Sequence, residues 1–131
     1  MSTRSVVTVI DKYHAFHIYR HCDGYPGHGS GVIPTLAEAL PFAWPLPRFE
    51  AMDFAAALVR AWKQEGGGNI YFTAGPDLHG DLEYRYEIRC EDRTLHVKVF
   101  AVSGPDGKTS TLQFDGTLAD AETRYAEKVT A

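Results

Sequence analysis

The stretch "DLEYRYEIRC", Asp81–Cys90, alternates more strictly than any other part of this chain. Leu82, Tyr84, Tyr86, Ile88 and Cys90 fall on one side, and Glu83, Arg85, Glu87 and Arg89 on the other. Successive side chains of a strand point to opposite faces, so this is a strand with one apolar and one charged face. Such a strand belongs to an antiparallel sheet that packs on a core on one side and meets water on the other. The charged row reads as cross-strand ion pairs, each a weak contributor.

Other segments extend the same sheet. "SVVTVI" (5–10) is a β-branched strand, Asp11-Lys12 a turn, and "YHAFHIYRH" (13–21) a second strand that pairs back as a hairpin. In that second strand His14, Phe16, Ile18 and Arg20 share one face, and Ala15, His17, Tyr19 and His21 the other. "NIYFTA" (69–74), "TLHVKVFAVS" (94–103, with Leu95, Val97, Val99 and Ala101 inward) and "TSTLQFDG" (109–116) complete the strands, the last two joined by a "GPDGK" turn. "PTLAEAL" (34–40) predicts a helix with Thr35 and Glu38 as a capping box. Pro41, Pro45 and Pro47 break "PFAWPLPRF" (41–49) into an irregular connector. "EAMDFAAALVRAWKQEGGGN" (50–69) gives the strongest helix. Met52, Ala55, Ala56, Val59 and Trp62 or Lys63 form its apolar face, Phe54 and Leu58 widen it, and Gly66–Gly68 stop it. A last helix is expected over "LADAETRYAEK" (118–128).

The predicted order is therefore β-β-α-α-β-β-β-β-α. It describes an α+β fold: an antiparallel sheet of about five to six strands with two to three helices on one face, in one domain over residues 1–131. At 131 residues and 44% hydrophobic composition the chain can bury a single core without disulfides or metal. A net charge of -4 with scattered basic residues argues against nucleic acid as the main partner. The chain has no apolar run approaching the roughly 18 residues of a membrane span and no signal-peptide pattern at its start. With two cysteines, Cys22 and Cys90, a reduced cytoplasmic setting is expected.

The chemistry-bearing residues crowd into "HCDGYPGHGSG", His21–Gly31. Its glycines would let backbone amides approach an anion before a helix start, but neither nucleotide-binding glycine fingerprint is matched. His21, Cys22, Asp23 and His28 are competent metal ligands, in a spacing that fits no standard zinc pattern. Cys22 could act as a nucleophile only with a histidine brought near by folding, since strand neighbours such as His21 point away. Against these stands a purely architectural reading, in which Asp23-Gly24 and Pro26 make the turn from strand to helix. His79, with Asp77 and Asp81, sits in a second Gly/Pro/Asp loop that could bind a cation, against the ordinary reading of a plain connection.

"YRHCDGYPGHG", Tyr19–Gly29, resembles a Y-x-H-x-D-G-Y-P-x-x-x-G signature of small uncharacterised proteins of bacteria and their phages. An aromatic often stands there at the position of Cys22, which counts against an essential cysteine nucleophile. The resemblance implies a phage or mobile-element context and no established activity. In the connector, Phe42, Trp44, Leu46 and Phe49 either cap the core or form a contact surface, with Phe42, Trp44 and Phe49 the candidate contacts. The expectation is a non-enzymatic binding protein without cofactor that meets a protein partner or a second copy of itself. The alternative is a small metal- or phosphate-dependent enzyme using His21, Asp23, Gly24, Tyr25, Pro26 and His28.

Overall fold

The computed structural model describes residues 3–27, 29–64, 69–75, 78–103 and 109–126. His28, the Gly66–Gly68 helix stop, Asp77, the 104–108 turn and the end of the last predicted helix lie outside these residues. Six strands run in chain order as β1 (Ser5–Ile10), β2 (Ala15–Arg20), β3 (Ile70–Thr73), β4 (Tyr84–Glu91), β5 (Thr94–Ser103) and β6 (Thr109–Thr117). Between β2 and β3 come α1 (Val32–Leu36), a 3-10 helix (Ala37–Phe42) and α2 (Ala51–Trp62), and α3 (Leu118–Arg124) follows β6. The described residues thus form an α+β fold with six strands and three α-helices, but the expected element order lacked the 3-10 helix. Among the described residues no helix is long and apolar enough to cross a membrane.

The sheet is ordered β3-β2-β1-β4-β5-β6, and it is mixed. Every neighbouring pair is antiparallel except β1 and β4, which run parallel from Ser5↔Tyr84 to Val9↔Ile88. The purely antiparallel sheet expected from alternation is therefore corrected at its centre. Alternation fixes which face a side chain takes, not which strand lies beside it. β1 itself carries the mark of a central strand: Ser5 through Val9 are all buried, on both faces.

The helices cover one face. Val7, Val9, Ile18, Tyr86, Ile88, Leu95, Val97 and Val99 pack there against Val32, Ile33, Leu36, Phe54, Ala55, Leu58, Leu118 and Ala121 in one cluster. On the other face Val6, Tyr19 and Leu82 make a small second cluster. Residues just ahead of β4 meet this second face: His79 stacks on Tyr19 at 4.2 Å, and the Glu83 amide donates to Arg4 O at 2.9 Å. Asp92 and Arg93 both have positive φ, which lets a two-residue turn join β4 to β5 without splaying the strands.

Two helical expectations need correction. α2 buries Ala51, Phe54, Ala55, Leu58 and Ala61, whereas Met52 is 51% exposed and Ala56 is also exposed. The large side chains Phe54 and Leu58 fix the buried face, and the small, evenly spread alanines follow. The capping box is absent: α1 starts at Val32, its N-cap is Gly31 with no side-chain cap, and Thr35 is a buried helical residue. Asp11 supplies what Glu50, the N-cap of α2, does not. Its carboxylate accepts from the amides of Tyr13 and His14 in the hairpin (2.8 Å each) and from the Ala51 amide (2.7 Å). Those amides hold the Asp11 carboxyl below its ordinary value, the Ala51 bond most of all.

Candidate functional site beside the 21–31 loop

β2 ends at Arg20, and the turn that follows, with Asp23 at φ 58°, sends the candidate loop residues to different sides of the sheet. His21 goes to the face away from the helices, where its Nδ1 accepts from Arg4 Nε (3.3 Å) and lies 3.1 Å from the Tyr19 hydroxyl. Arg4 also pairs with Asp81 at 3.2 Å. His17 is on the same face, its Nδ1 2.8 Å from Thr8 Oγ1, and burial followed by the Arg85 charge lowers its pKa. His79 bonds Thr73 Oγ1 at 3.0 Å. Arg20, Cys22 and Asp23 instead line a cavity on the helical side. Among the described residues no three metal-competent side chains converge.

Most of the loop's unusual composition is architectural. Asp23 adopts φ 58°, and Gly24 then runs against β1 and β4: its amide donates to Thr3 O at 2.9 Å, and its carbonyl accepts from the Tyr86 hydroxyl at 2.6 Å. A Cβ on Gly24 would lie 2.7 Å from both Ser5 Oγ and Thr3 O. The Tyr25 and Pro26 carbonyls accept from the Val32 and Ile33 amides at 2.9 and 3.2 Å, so loop backbone satisfies the first donors of α1. A Cβ on Gly31 would fall 1.8 Å from Gly27 O. The Tyr25 hydroxyl donates to Asp23 Oδ1 at 2.5 Å and lies 3.1 Å from Ser30 Oγ. Counted along the chain, the twelfth position of the phage-like signature is Ser30, between Gly29 and Gly31.

The cavity has a volume of about 490 Å³ and lies between this loop and the C-terminal end of α2. That volume lies within the range of small-molecule sites. Arg20 and Thr35 line it together with Trp62, Asp23, Glu38 and Asn69. Arg20 is 6% exposed, and its guanidinium sits over the Trp62 ring at 4.4 Å. Nη2 donates to Ser30 O at 3.1 Å and Nη1 to Thr35 Oγ1 at 3.4 Å, while Nε has no partner among the described residues. Thr35 Oγ1 also accepts from Trp62 Nε1 (3.0 Å) and donates to Gly31 O (2.6 Å), so its bonding capacity is used. Buried charges are ordinarily paired. Burial pulls the Arg20 pKa down, and Asp23 is the strongest influence the other way, yet no described carboxylate reaches Arg20 within 4 Å.

Arg20, Thr35 and Trp62 were not among the candidate site residues named from the sequence. A signal was present: Arg20 shares its strand face with Phe16 and Ile18, so a charge falls in the phase of the core. The aromatic connector divides. Phe49 packs on Phe54, with ring centroids 5.5 Å apart, and joins the core margin. Phe42 and Trp44 stay 43% and 38% exposed, each with an arginine over its ring, Arg60 at 4.7 Å and Arg48 at 3.5 Å. Leu40 and Met52 are exposed beside them on the 3-10 helix and the first turn of α2. Compared with protein-family models, curated proteins and solved structures, the chain matches none of them.

Proposed function

We propose that this chain is a small binding protein that holds an anionic small molecule in the cavity beside the 21–31 loop without transforming it. The observation that carries this reading is Arg20, a buried cation in a cavity wall with only neutral partners in bonding reach. A ligand carboxylate or phosphate would supply the missing charge and the bidentate geometry that a guanidinium favours. An enzyme built on His21 and Asp23 needs both groups at one reacting centre. Here they serve opposite faces of the sheet. On the resemblance of residues 19–29, such a binder would belong to a phage or mobile-element setting.

The test is thermal denaturation of the full chain with acetate, succinate, inorganic phosphate or each L-amino acid, at matched ionic strength. A ligand at a hundred times its Kd stabilises by about 2.7 kcal/mol, a rise of roughly 10 °C for a domain of this size. If no probe gives a saturable rise beyond that of sodium chloride, the reading fails.

A second reading, contact with a protein partner or a second copy, is favoured by Leu40, Phe42, Trp44 and Met52, whose apolar surface stays open on the 3-10 helix, α2 and the connector between them. Sedimentation of the wild type and of Phe42→Glu/Trp44→Glu tests self-association. A monomer at every concentration removes the homodimer from consideration.

A further inference from the structure

We infer that the ligand of the Arg20 cavity is a zwitterionic amino-carboxylate, its carboxylate received by Arg20 and its ammonium by Asp23 and Glu38. This inference rests on the binding reading above. Three elements bring the charges to one cavity: Arg20 from the end of β2, Asp23 from the loop and Glu38 from the 3-10 helix. Arg20 is more than nine-tenths buried and meets only the neutral oxygens of Ser30 and Thr35. Glu38 makes no hydrogen bond or ion pair within 4 Å among the described residues, and Asp23 gives one carboxylate oxygen to the Tyr25 hydroxyl.

Among the described residues the cavity wall therefore carries one cation and two anions. A polyphosphate would satisfy Arg20 but bring further negative charge against Asp23 and Glu38, and like charges in a confined site repel. A simple monocarboxylate would leave both acids unanswered. A molecule with one carboxylate and one ammonium complements all three groups, and the cavity of about 490 Å³ leaves room for its side chain. The indole of Trp62, already under the guanidinium, offers an apolar wall for that side chain.

The test is calorimetric titration of the full chain with each L-amino acid, and then with the N-acetyl and the C-terminal amide derivatives of the tightest binder. Acetylation removes the ammonium and amidation removes the carboxylate, so each derivative is expected to bind at least tenfold more weakly. Glu38 is exposed, so Glu38→Gln should fold normally. It is expected to weaken the amino acid about tenfold while leaving the N-acetyl derivative unchanged. Arg20→Lys keeps a cation but not the fork, and should weaken the amide far less than the parent amino acid. If the N-acetyl derivative or inorganic phosphate binds as tightly as the amino acid and Glu38→Gln changes nothing, the zwitterion inference is overturned and the anion-binding reading stands. If no amino acid, carboxylate or phosphate binds at all, both fall.

Discussion

Tyr86→Phe isolates one bond between the sheet and the loop. Tyr86 is fully buried in β4, and its hydroxyl donates at 2.6 Å to the carbonyl of Gly24, which is itself buried. The phenylalanine fits the same space and removes only the donor, so the Gly24 carbonyl is left in the interior without its partner. A buried group stranded in this way costs about 1–3 kcal/mol. Scaled to 131 residues, the usual unfolding entropy makes each kcal/mol worth roughly 3–4 °C, so Tm should fall by about 4–11 °C. Scanning calorimetry reads the shift, and urea denaturation should give a lower midpoint with an unchanged m-value. Ser5→Ala is the internal control. Ser5 Oγ is buried beside the same glycine with no partner among the described residues, so its removal should leave stability unchanged or raise it. Burial also pushes the Tyr86 phenol well above its ordinary value of 10. Its contribution is complete below pH 10 and is lost as pH rises toward the folded-state pKa, so the Phe variant should show the shallower alkaline decline. A Tm for Tyr86→Phe within 2 °C of the parent, or a larger loss from Ser5→Ala, would refute the assignment of this bond as what anchors the loop.

His17 has a lowered pKa, so it contributes stability above its unfolded value near 6.5 that is lost as pH falls through the folded one. His17→Gln should flatten the dependence of Tm between neutral and mildly acid pH, and an unchanged slope would contradict the burial of the ring. Asp11 accepts three amides from two elements, and Asp11→Ala should cost about 1–2 kcal/mol, read by urea denaturation at pH 7. The wild type should lose that margin as pH drops below about 4, since the Asp11 carboxyl is held low by those amides. In α2, Met52→Gln should stay within about 0.5 kcal/mol of the parent, whereas Leu58→Ala should cost about 2–5 kcal/mol. A reversed order in chemical denaturation would mean that the helix packs through the face its sequence suggested.

The faces of the strands were legible in the sequence, except for Leu82, which precedes β4 and packs with Val6 and Tyr19 on the opposite face from Tyr86; their neighbours were not. Tyr86, Ile88, Leu95, Val97 and Val99 are buried where alternation assigns them. Nothing in that alternation tells β4 to lie beside β1, a choice made by packing over a long stretch of chain. The continuous run Val6–Val9 was a hint of a strand covered on both sides. In α2 the alanines blurred the phase, because small apolar residues are tolerated on any helix face, and Met52 was counted inward because it fell in spacing with Ala55, Ala56 and Val59. For the site, the loop was found and its partners were not. Turn chemistry is local and reads directly as Asp23-Gly24, whereas the cavity needs Trp62 and Glu38, which only the tertiary fold brings to Arg20. The same locality explains why His21 and Asp23 looked like a pair. Their closeness in sequence conceals that a strand end divides them between two sides of the sheet.

The parallel pairing of β1 with β4 also sets how this chain must be made. The Ser5–Ile10 strand meets its hairpin partner within a few residues, but its other edge waits for Tyr84–Ile88, about 80 residues later. At ordinary elongation speeds of about 5–20 residues per second, that wait is roughly 4–16 s. Throughout it, a β-branched segment with bare amides and carbonyls on one edge is free to pair with any other strand. A nascent chain stalled before β4 therefore holds a ready template for aggregation, and pairing with β4 closes it.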